Sequence, residues 1–500
     1  MQASGIGGMT LNLGMIAAKL TDARVVGDGS TVVSDVACDS RTAEKGSLFA
    51  ALKGERQNGI DFLDDAVKRG AVAILTDTID EGVYIPQIVV PNVRLAMAVA
   101  SHLLSEPILE DLTLIGVTGT NGKTTTCSLI DSILQADGRS VGVIGTLGYR
   151  VLGHDRDWHM STHTTPESPD LYRVLRSMHS EGVRTVVMEV SSHALVLYRV
   201  WGLSFGVAVY TNLTQDHLDF HGTMENYFNA KAGLFDGLDQ TSTRVINISD
   251  QYGLRLTQRP GPQLVTFGWD STAAVFPRDL SMDGTIRSTF QTPNGTADVE
   301  MGLVGRFNVS NALAATAVAT ALQTPFTAIE EGLRKARPAS GRFESVADAD
   351  ADIVVIVDYA HTPDALTNVL STAKEMTKEK LWVVVGCGGD RDRTKRPLMG
   401  AAAAEWADVS VITSDNPRTE DPEQIIDDVM VGVDQLLEVV RITDRRAAIL
   451  QAVTSAEPGD VVVIAGKGHE PYIEIGTTQY PFDDRDEARA ALSQRLKAVA

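Results

Sequence analysis

Cysteine is scarce in this 500-residue chain. The three present, Cys38, Cys127 and Cys387, lie far apart and form no CxxC pair. That spacing argues against a disulfide framework or a structural zinc site and fits a reducing compartment. Long apolar runs are also missing. Residues 353–357 and 461–465 are strand length, far short of the roughly 20 residues a membrane helix needs. The opening MQASGIGGMTLNLG lacks a basic segment followed by an apolar one. No signal peptide and no membrane span are therefore expected, and the cytoplasm is the expected location. Basic residues are in deficit: 44 Lys and Arg face 65 Asp and Glu, a formal charge of -21. Such a surface repels nucleic acid and anionic lipid, so neither is an expected partner. Any bound phosphate must be held by local donors.

What is present is ordinary for a globular protein, at 43% hydrophobic and 22% charged. Domains of roughly 100–200 residues suggest about three. Residues 1–108 mix short strands with helical stretches, the clearest being strands at 47–52 and 71–76 around a helix at 62–69. From 109 to 338 apolar strands alternate with helices: strands at 112–117, 140–144, 184–190, 205–211 and 244–248, helices at 124–136, 169–180 and 224–235. This pattern implies a parallel sheet covered on both faces. Residues 254–300 are richer in Thr, Pro, Gly and Asp and read as a short-stranded insertion, and 334–341 as a linker. Alternation resumes over 339–500, with strands at 353–357, 381–385, 409–413 and 461–465 and helices at 363–376, 398–407, 422–437 and 445–455. The fold class expected is α/β in three parts, the last a second doubly wound domain.

The run Thr118-Gly119-Thr120-Asn121-Gly122-Lys123-Thr124-Thr125-Thr126 joins an apolar strand to a helix. A strand, a Gly-containing loop and a helix N-terminus make an anion site, with backbone N–H groups aimed at phosphates. Lys123 suits the β- and γ-phosphates, and the Thr124 hydroxyl suits Mg²⁺. The match is imperfect, since GxxxxGK[ST] requires Gly where Val117 stands. Glu189 ends a predicted strand in Glu189-Val190-Ser191-Ser192-His193, a place suited to holding Mg²⁺ beside such a loop. Nucleotide switches use the same loop, so the remaining motifs must decide.

Those motifs are NLTQDHLDFHG from Asn212 to Gly222, YFNAKAGLF around Lys231, GRFNVSNALAA from Gly305, DYAHTPDA from Asp358, GCGGDRD from Gly386, and GKGHE from Gly466 to Glu470. Asp39-Ser40-Arg41 precedes them all. In this order, together with TGTNGKTTT and EVSSHAL, they resemble the Mur ligases of peptidoglycan precursor synthesis over nearly the whole chain.

The resemblance implies an N-terminal mixed α/β UDP-sugar-binding domain (1–108), a central ATP-binding P-loop domain (109–338) and a C-terminal Rossmann-like amino-acid-binding domain (339–500). It implies phosphorylation of the D-Glu side-chain carboxylate of UDP-N-acetylmuramoyl-L-alanyl-D-glutamate, then attack of an amine on the acyl phosphate, by a monomer. ATP would meet Gly119, Thr120, Asn121, Gly122, Lys123, Thr124, Thr125, Asn311, Arg342, Asp358 and His361. Thr124, Glu189 and His217 would hold Mg²⁺. Lys231 resembles the lysine that takes up CO2 to become N6-carboxylysine. The nucleotide-sugar dipeptide would meet Ser40, Glu55, Arg56, Gln57, Thr164, Thr165, Ser191, Leu197 and Arg199. Leu197 and His163 depart from residues some relatives carry.

Ser414-Asp415-Asn416-Pro417-Arg418 follows the predicted strand at 409–413, at the edge where α/β sheets bind ligands. The form Asp415-Asn416-Pro417-Arg418 resembles the members that add meso-diaminopimelate. Arg418 could hold a far carboxylate through bidentate hydrogen bonds, and lysine has no such carboxylate. Arg391, Asp415, Asn416, Pro417, Gly466 and Glu470 would complete that site. A lysine-adding relative, a folylpolyglutamate synthetase and a non-catalytic P-loop switch stay open as alternatives.

Overall fold

The computed structural model describes residues 9–54, 58–156, 163–282, 285–346, 351–433 and 438–499. The first of its three large sheets runs, edge to edge, Arg24–Val26, Gln87–Val89, Ala73–Thr76, Ser47–Ala50 and Asp35–Ala37. All pairs but the first are parallel. Successive residues of its strands point to opposite faces. Leu48 and Leu75 enter a core with Met97 and Ala100 of helix Val93–Leu103, while Phe49 and Ile74 pack against Leu63 and Ala66.

The central sheet has eight strands, in the order His154–Arg156, Gly148–Val151, Val141–Gly145, Thr185–Glu189, Thr113–Thr118, Phe205–Tyr210, Thr243–Asn247 and Gln263–Phe267. The last six are mutually parallel, and the first two form an antiparallel extension. Ile115 and Val187 face Ile130 and Leu313, on helices Lys123–Ala136 and Arg306–Ala321. Leu114 and Val186 face Leu171 and Phe228, on helices Ser168–Ser180 and Met224–Asp236. Burial on both faces explains why the strands read as continuous apolar runs.

The insertion expected over 254–300 needs correcting. Gln263–Phe267 is the edge strand of the main parallel sheet, paired with Thr243–Asn247. Only Phe276–Ser281, Ile286–Thr292 and Gly295–Met301 form a separate antiparallel sheet. The strand is exposed at Gln263 and Leu264 and lies among segments richer in Thr, Pro, Gly and Asp, so it does not stand out in the sequence.

The third large sheet runs Glu344–Val346, Val354–Asp358, Val461–Ala465, Leu381–Val385, Val409–Ile412 and Glu438–Arg441. All but the first strand are parallel. The helix expected over 422–437 stops at Met430, and Glu438–Arg441 is an edge strand. The apolar spacing at 429–433 continues the helical period, but the chain must turn there to reach the sheet edge. Helix Pro363–Met376 begins at Thr362, whose Oγ1 accepts from Ala365 N at 3.3 Å. Thr362→Ala is expected to cost about 0.5–2 kcal/mol, read as faster amide exchange in that helix's first turn, whereas Thr362→Ser leaves exchange unchanged. Among the described residues no helix is long and apolar enough to cross a membrane.

Candidate active site

Strand Thr113–Thr118 delivers the chain into a loop that only glycine can close. Gly119 has φ 152, and a Cβ there would fall 1.8 Å from Thr211 Oγ1. Gly122 has φ 83, and its Cβ would meet Asn311 Oδ1 at 2.4 Å. The loop is laced to the next strand's exit: Thr120 N donates to Asn212 O, Asn121 N to Asn212 Oδ1 and Thr211 Oγ1 to Asn121 O, at 2.9, 2.9 and 2.7 Å. Lys123 opens the helix and folds back, its Nζ donating to Gly119 O at 3.0 Å and Thr120 O at 2.8 Å. Burial pushes its pKa down.

Glu189 ends its strand buried and fully engaged. Its Oε1 accepts from Thr124 Oγ1 at 3.0 Å and from Thr146 N at 2.8 Å, and Oε2 accepts from Thr146 Oγ1 at 3.2 Å. Thr146 Oγ1 also lies 3.2 Å from Thr164 Oγ1. Two residues before strand Glu344–Val346, Arg342 Nη2 donates to Thr124 Oγ1 at 3.2 Å, and its guanidinium sits 4.5 Å over the Tyr359 ring. Arg342 Nε is buried with no hydrogen-bond partner. Asp358 accepts from Phe343 N and Ala360 N at 2.6 and 2.7 Å, and burial raises its pKa.

Lys231 lies on helix Met224–Asp236, one turn after Tyr227, and is 1% exposed. Its Nζ donates to Gly119 O at 2.8 Å and rests 4.5 Å over the Tyr227 ring. Two lysines therefore converge on one carbonyl. Burial, and then Lys123, hold the Lys231 amine well below its usual range, against the pull of Asp216.

Asp216 gathers His217, His361 and Lys395 from both walls, a role the sequence reading missed. His217 Nε2 is 3.2 Å from its Oδ2, His361 Nε2 3.7 Å from the same oxygen, and Lys395 Nζ 3.5 Å from Oδ1. Burial alone would raise Asp216, but His217, His361 and Lys395 outweigh it and hold the carboxyl well below the usual range. A depressed folded value adds stability that is complete above the ordinary 3.8 and fades as pH falls toward the folded value. The stability difference between wild type and Asp216→Asn is therefore expected to shrink on acidification below that point, as read from paired denaturant titrations. His217 itself is pushed down to about 3, by burial first and then by His193 and His361, against Asp216. It is neutral near pH 7 and can offer a lone pair. His361 Nδ1 faces Tyr359 O at 2.9 Å, which places its proton there.

Thr165, Ser191 and Arg199 form a network behind Glu189. Thr165 Oγ1 donates to Glu189 O at 2.9 Å and accepts from Ser191 N at 3.1 Å. Arg199 is buried and spends its donors on Glu167 Oε1 and Thr165 O, at 2.8–3.1 Å. Leu197 is half-buried at the end of helix Ser192–Val196. Ser40 is buried in a short 3-10 turn, Ser40–Thr42, in the region of the first sheet. Glu55, Arg56 and Gln57 lie outside the described residues.

The residues expected to hold an amino acid meet at the exit edge of the third sheet. Arg418 (φ 51) donates from Nε to Glu474 Oε2 at 3.0 Å and from Nη1 to Gly389 O at 2.8 Å. Pro417 O accepts from Glu420 N at 3.1 Å. Asn416 Nδ2 donates to Glu470 Oε2 at 3.0 Å. Asp415 packs against Gly466, where a Cβ would fall 2.6 Å from its Oδ2. Arg391 is exposed, donating to Asp390 O at 3.0 Å. Glu474 and Lys467 belong to this cluster and were not foreseen, because their partners lie some fifty residues away in sequence: 56 for Glu474 and 51 for Lys467.

A cavity of about 610 Å³ is lined by Thr120–Thr125 and by Glu189, Asn311, Arg342, Asp358 and His361. A second, of about 800 Å³, meets it at Thr124, Thr146 and Glu189 and reaches His469 and Arg485. Among the described residues no group of three or more His, Cys, Asp and Glu is placed to hold a metal. A Mg²⁺–nucleotide nevertheless fits. The Thr124 hydroxyl and the Glu189 carboxylate are adjacent hard oxygens, and such an ion completes its shell with phosphate and water. Thr211 and Asn311 pack where Gly119 and Gly122 lack a Cβ and so hold the loop in shape, and Arg342 keeps an unused donor.

Comparison with known proteins adds three family matches: the catalytic domain of the Mur ligase family over residues 32–106, the Mur ligase middle domain over 117–319, and the Mur ligase glutamate ligase domain over 341–468. The UDP-N-acetylmuramoyl-L-alanyl-D-glutamate--2,6-diaminopimelate ligase of Geobacillus thermodenitrificans is 47% identical over 468 residues, covering 91% of this chain and 94% of that protein. That of Gloeobacter violaceus is 45% identical, covering 93% and 94%. A solved structure of a ligase of the same description is 36% identical with TM-score 0.65, covering 98% of this chain and 100% of that one. The MurF ligase of Thermotoga maritima in complex with ADP shares the fold, with TM-score 0.66 at 18% identity over 94% of this chain and 99% of that one.

Proposed function

Because this chain belongs to the Mur ligase family, and so is an ATP-dependent amide-bond ligase, we propose that it adds meso-diaminopimelate to UDP-N-acetylmuramoyl-L-alanyl-D-glutamate. The observation that carries this reading is the 47% identity to such a ligase across 91% of the chain. The reaction belongs to peptidoglycan precursor synthesis in the cytoplasm, and the enzyme acts as a monomer.

The nucleotide occupies the cavity at the Gly119–Thr125 loop, and the acceptor carboxylate arrives where the two cavities meet, at Thr124, Thr146 and Glu189. A carboxylate oxygen attacks the γ-phosphorus, and the bond to ADP breaks. The amine nitrogen then attacks the acyl carbon, phosphate leaves with the bonding pair, and the nitrogen releases a proton. Both steps bring anions together, so positive charge aimed at the transferring group is the main need. Lys123 and Arg342 supply it. Lys123 must swing off the carbonyls of Gly119 and Thr120 to do so. Asn311, Asp358 and His361 position the nucleotide. Mg²⁺, held by Thr124 and Glu189 with His217 as a further ligand, would add charge on the phosphate oxygens when bound. Lys231, carboxylated by CO2, would turn one of two neighbouring cations into an anion.

Thr164, Thr165, Ser191, Leu197 and Arg199 guide the dipeptide, and Ser40 with Glu55–Gln57 guides the uridine diphosphate. Arg418, with Arg391, Asp415, Asn416, Pro417, Gly466 and Glu470, selects the amine.

Phosphate release with the nucleotide-sugar dipeptide and each amine in turn tests the proposal. Diaminopimelate is expected to drive release, and lysine is not. Release driven by lysine would point to a lysine-adding relative, and release requiring a folate acceptor to a folylpolyglutamate synthetase.

A further inference from the structure

Lys467 stands two residues beyond strand Val461–Ala465 and is fully buried. Its Nζ donates to Asn416 Oδ1 at 2.8 Å and lies 3.3 Å from Glu470 Oε2 and 3.4 Å from Asp415 Oδ1. Asn416 Oδ1 accepts a second bond, from Glu474 N at 2.9 Å. With both contacts on its oxygen, the amide must present Nδ2 to Glu470 Oε2, at 3.0 Å. Glu470 Oε2 therefore holds two donors. Among the described residues its Oε1 meets only the distant Tyr359 hydroxyl, at 3.5 Å, and it keeps capacity for another donor.

The charges count the same way. Arg418 pairs with Glu474 and Arg445 with Asp484; Asp415 and Glu470 bring two further negative charges, and Lys467 cancels one. The remaining negative charge matches one ammonium group of a ligand. Without Lys467, Asp415 and Glu470 would lose the cation they share. The Asn416 amide would also lose a donor that fixes which way it faces.

We propose that Lys467 is a positioning residue that presets Asn416 and Glu470 to receive an ammonium group of the incoming diamino acid. The inference rests on the amine-adding reading above. Lys467 does not touch the reacting atoms; it acts through its two neighbours.

Lys467→Met keeps the length of the side chain and removes the charge. The expected result is a rise in KM for diaminopimelate of about 10- to 100-fold. The KM values for ATP and for the nucleotide-sugar dipeptide, and kcat at saturating amine, stay at wild-type levels. A purely structural role would move all of them. Lys467→Arg restores the charge without the compact geometry and should fall between the two. If Lys467→Met does not fold, Lys467→Arg carries the test. A folded variant with wild-type amine KM, or with equal losses for all three substrates, overturns the proposal. Wild type assayed alongside separates the two ideas. No diaminopimelate-dependent release by wild type defeats the functional reading, whereas turnover by wild type beside an unchanged variant defeats the role of Lys467 alone.

Discussion

Lys231→Ala is expected to abolish amide-bond formation, a loss of at least about 10²-fold in kcat, the scale of removing one preorganised charge from a transferring group. Lys231 is 1% exposed and has its Nζ on Gly119 O, the same carbonyl that Lys123 contacts. Burial and Lys123 keep its amine well below the usual lysine range, so it is held toward the neutral form. A neutral amine is the form that adds CO2, forming an N–C bond and releasing a proton. The resulting carbamate is an anion, and it can pair with Lys123 where a second ammonium would repel it. Bicarbonate cannot restore the alanine variant, which has no amine to carboxylate, but a short carboxylate can fill the space and supply the charge. Intact mass of the wild type should show the added CO2, lost on acidification. Full activity of Lys231→Ala would defeat the carbamate assignment.

Arg418→Ala is expected to raise the KM for diaminopimelate by about thirty- to several-thousand-fold, the equivalent of roughly 2–5 kcal/mol for a buried charged contact. Arg418 is held from two sides, by Glu474 on Nε and by Gly389 O on Nη1. These bonds aim the guanidinium and leave the rest of its fork for a carboxylate. Truncation removes the recognition element and also strands Glu474 without its partner. Arg418 does not line the nucleotide cavity, so the KM for ATP should be untouched and is the internal control. Steady-state assays against diaminopimelate and lysine check both parts. Equal use of the two amines by wild type would contradict the selectivity assigned to Arg418.

The elements legible in the sequence are those whose pattern is local. Helix Pro363–Met376 and strands Leu381–Val385 and Val461–Ala465 agree residue for residue with the apolar periods that predict them. The nucleotide loop and Glu189 are legible because strand, turn and helix are contiguous. Edge strands are not. Gln263–Phe267 and Glu438–Arg441 are short and half solvated, so neither stands out from the insertion or the helical stretch beside it. Asp216 is invisible for a different reason. Its ion-pair partner Lys395 lies 179 residues away, and nothing in the local sequence sets it apart from its neighbour His217. Glu474 is similar: its exposed hairpin, Tyr472–Ile475 with Thr478–Pro481, carries no motif, yet it supplies the partner of Arg418.

The polar bonds that cross between the central and last sheets have a mechanical consequence. Asn121 donates to Asp364 at 2.9 Å, Gln215 to Thr394 at 3.0 Å, and Lys395 reaches Asp216 at 3.5 Å. Asn121, Asp364 and Asp216 line the nucleotide cavity, and a rotation that opens the last third of the chain away from the central sheet must break all three bonds. Such a joint has two states and little between them. Spins on both rims should then exchange at one shared rate, and a nucleotide that touches both would shift that single equilibrium as a whole.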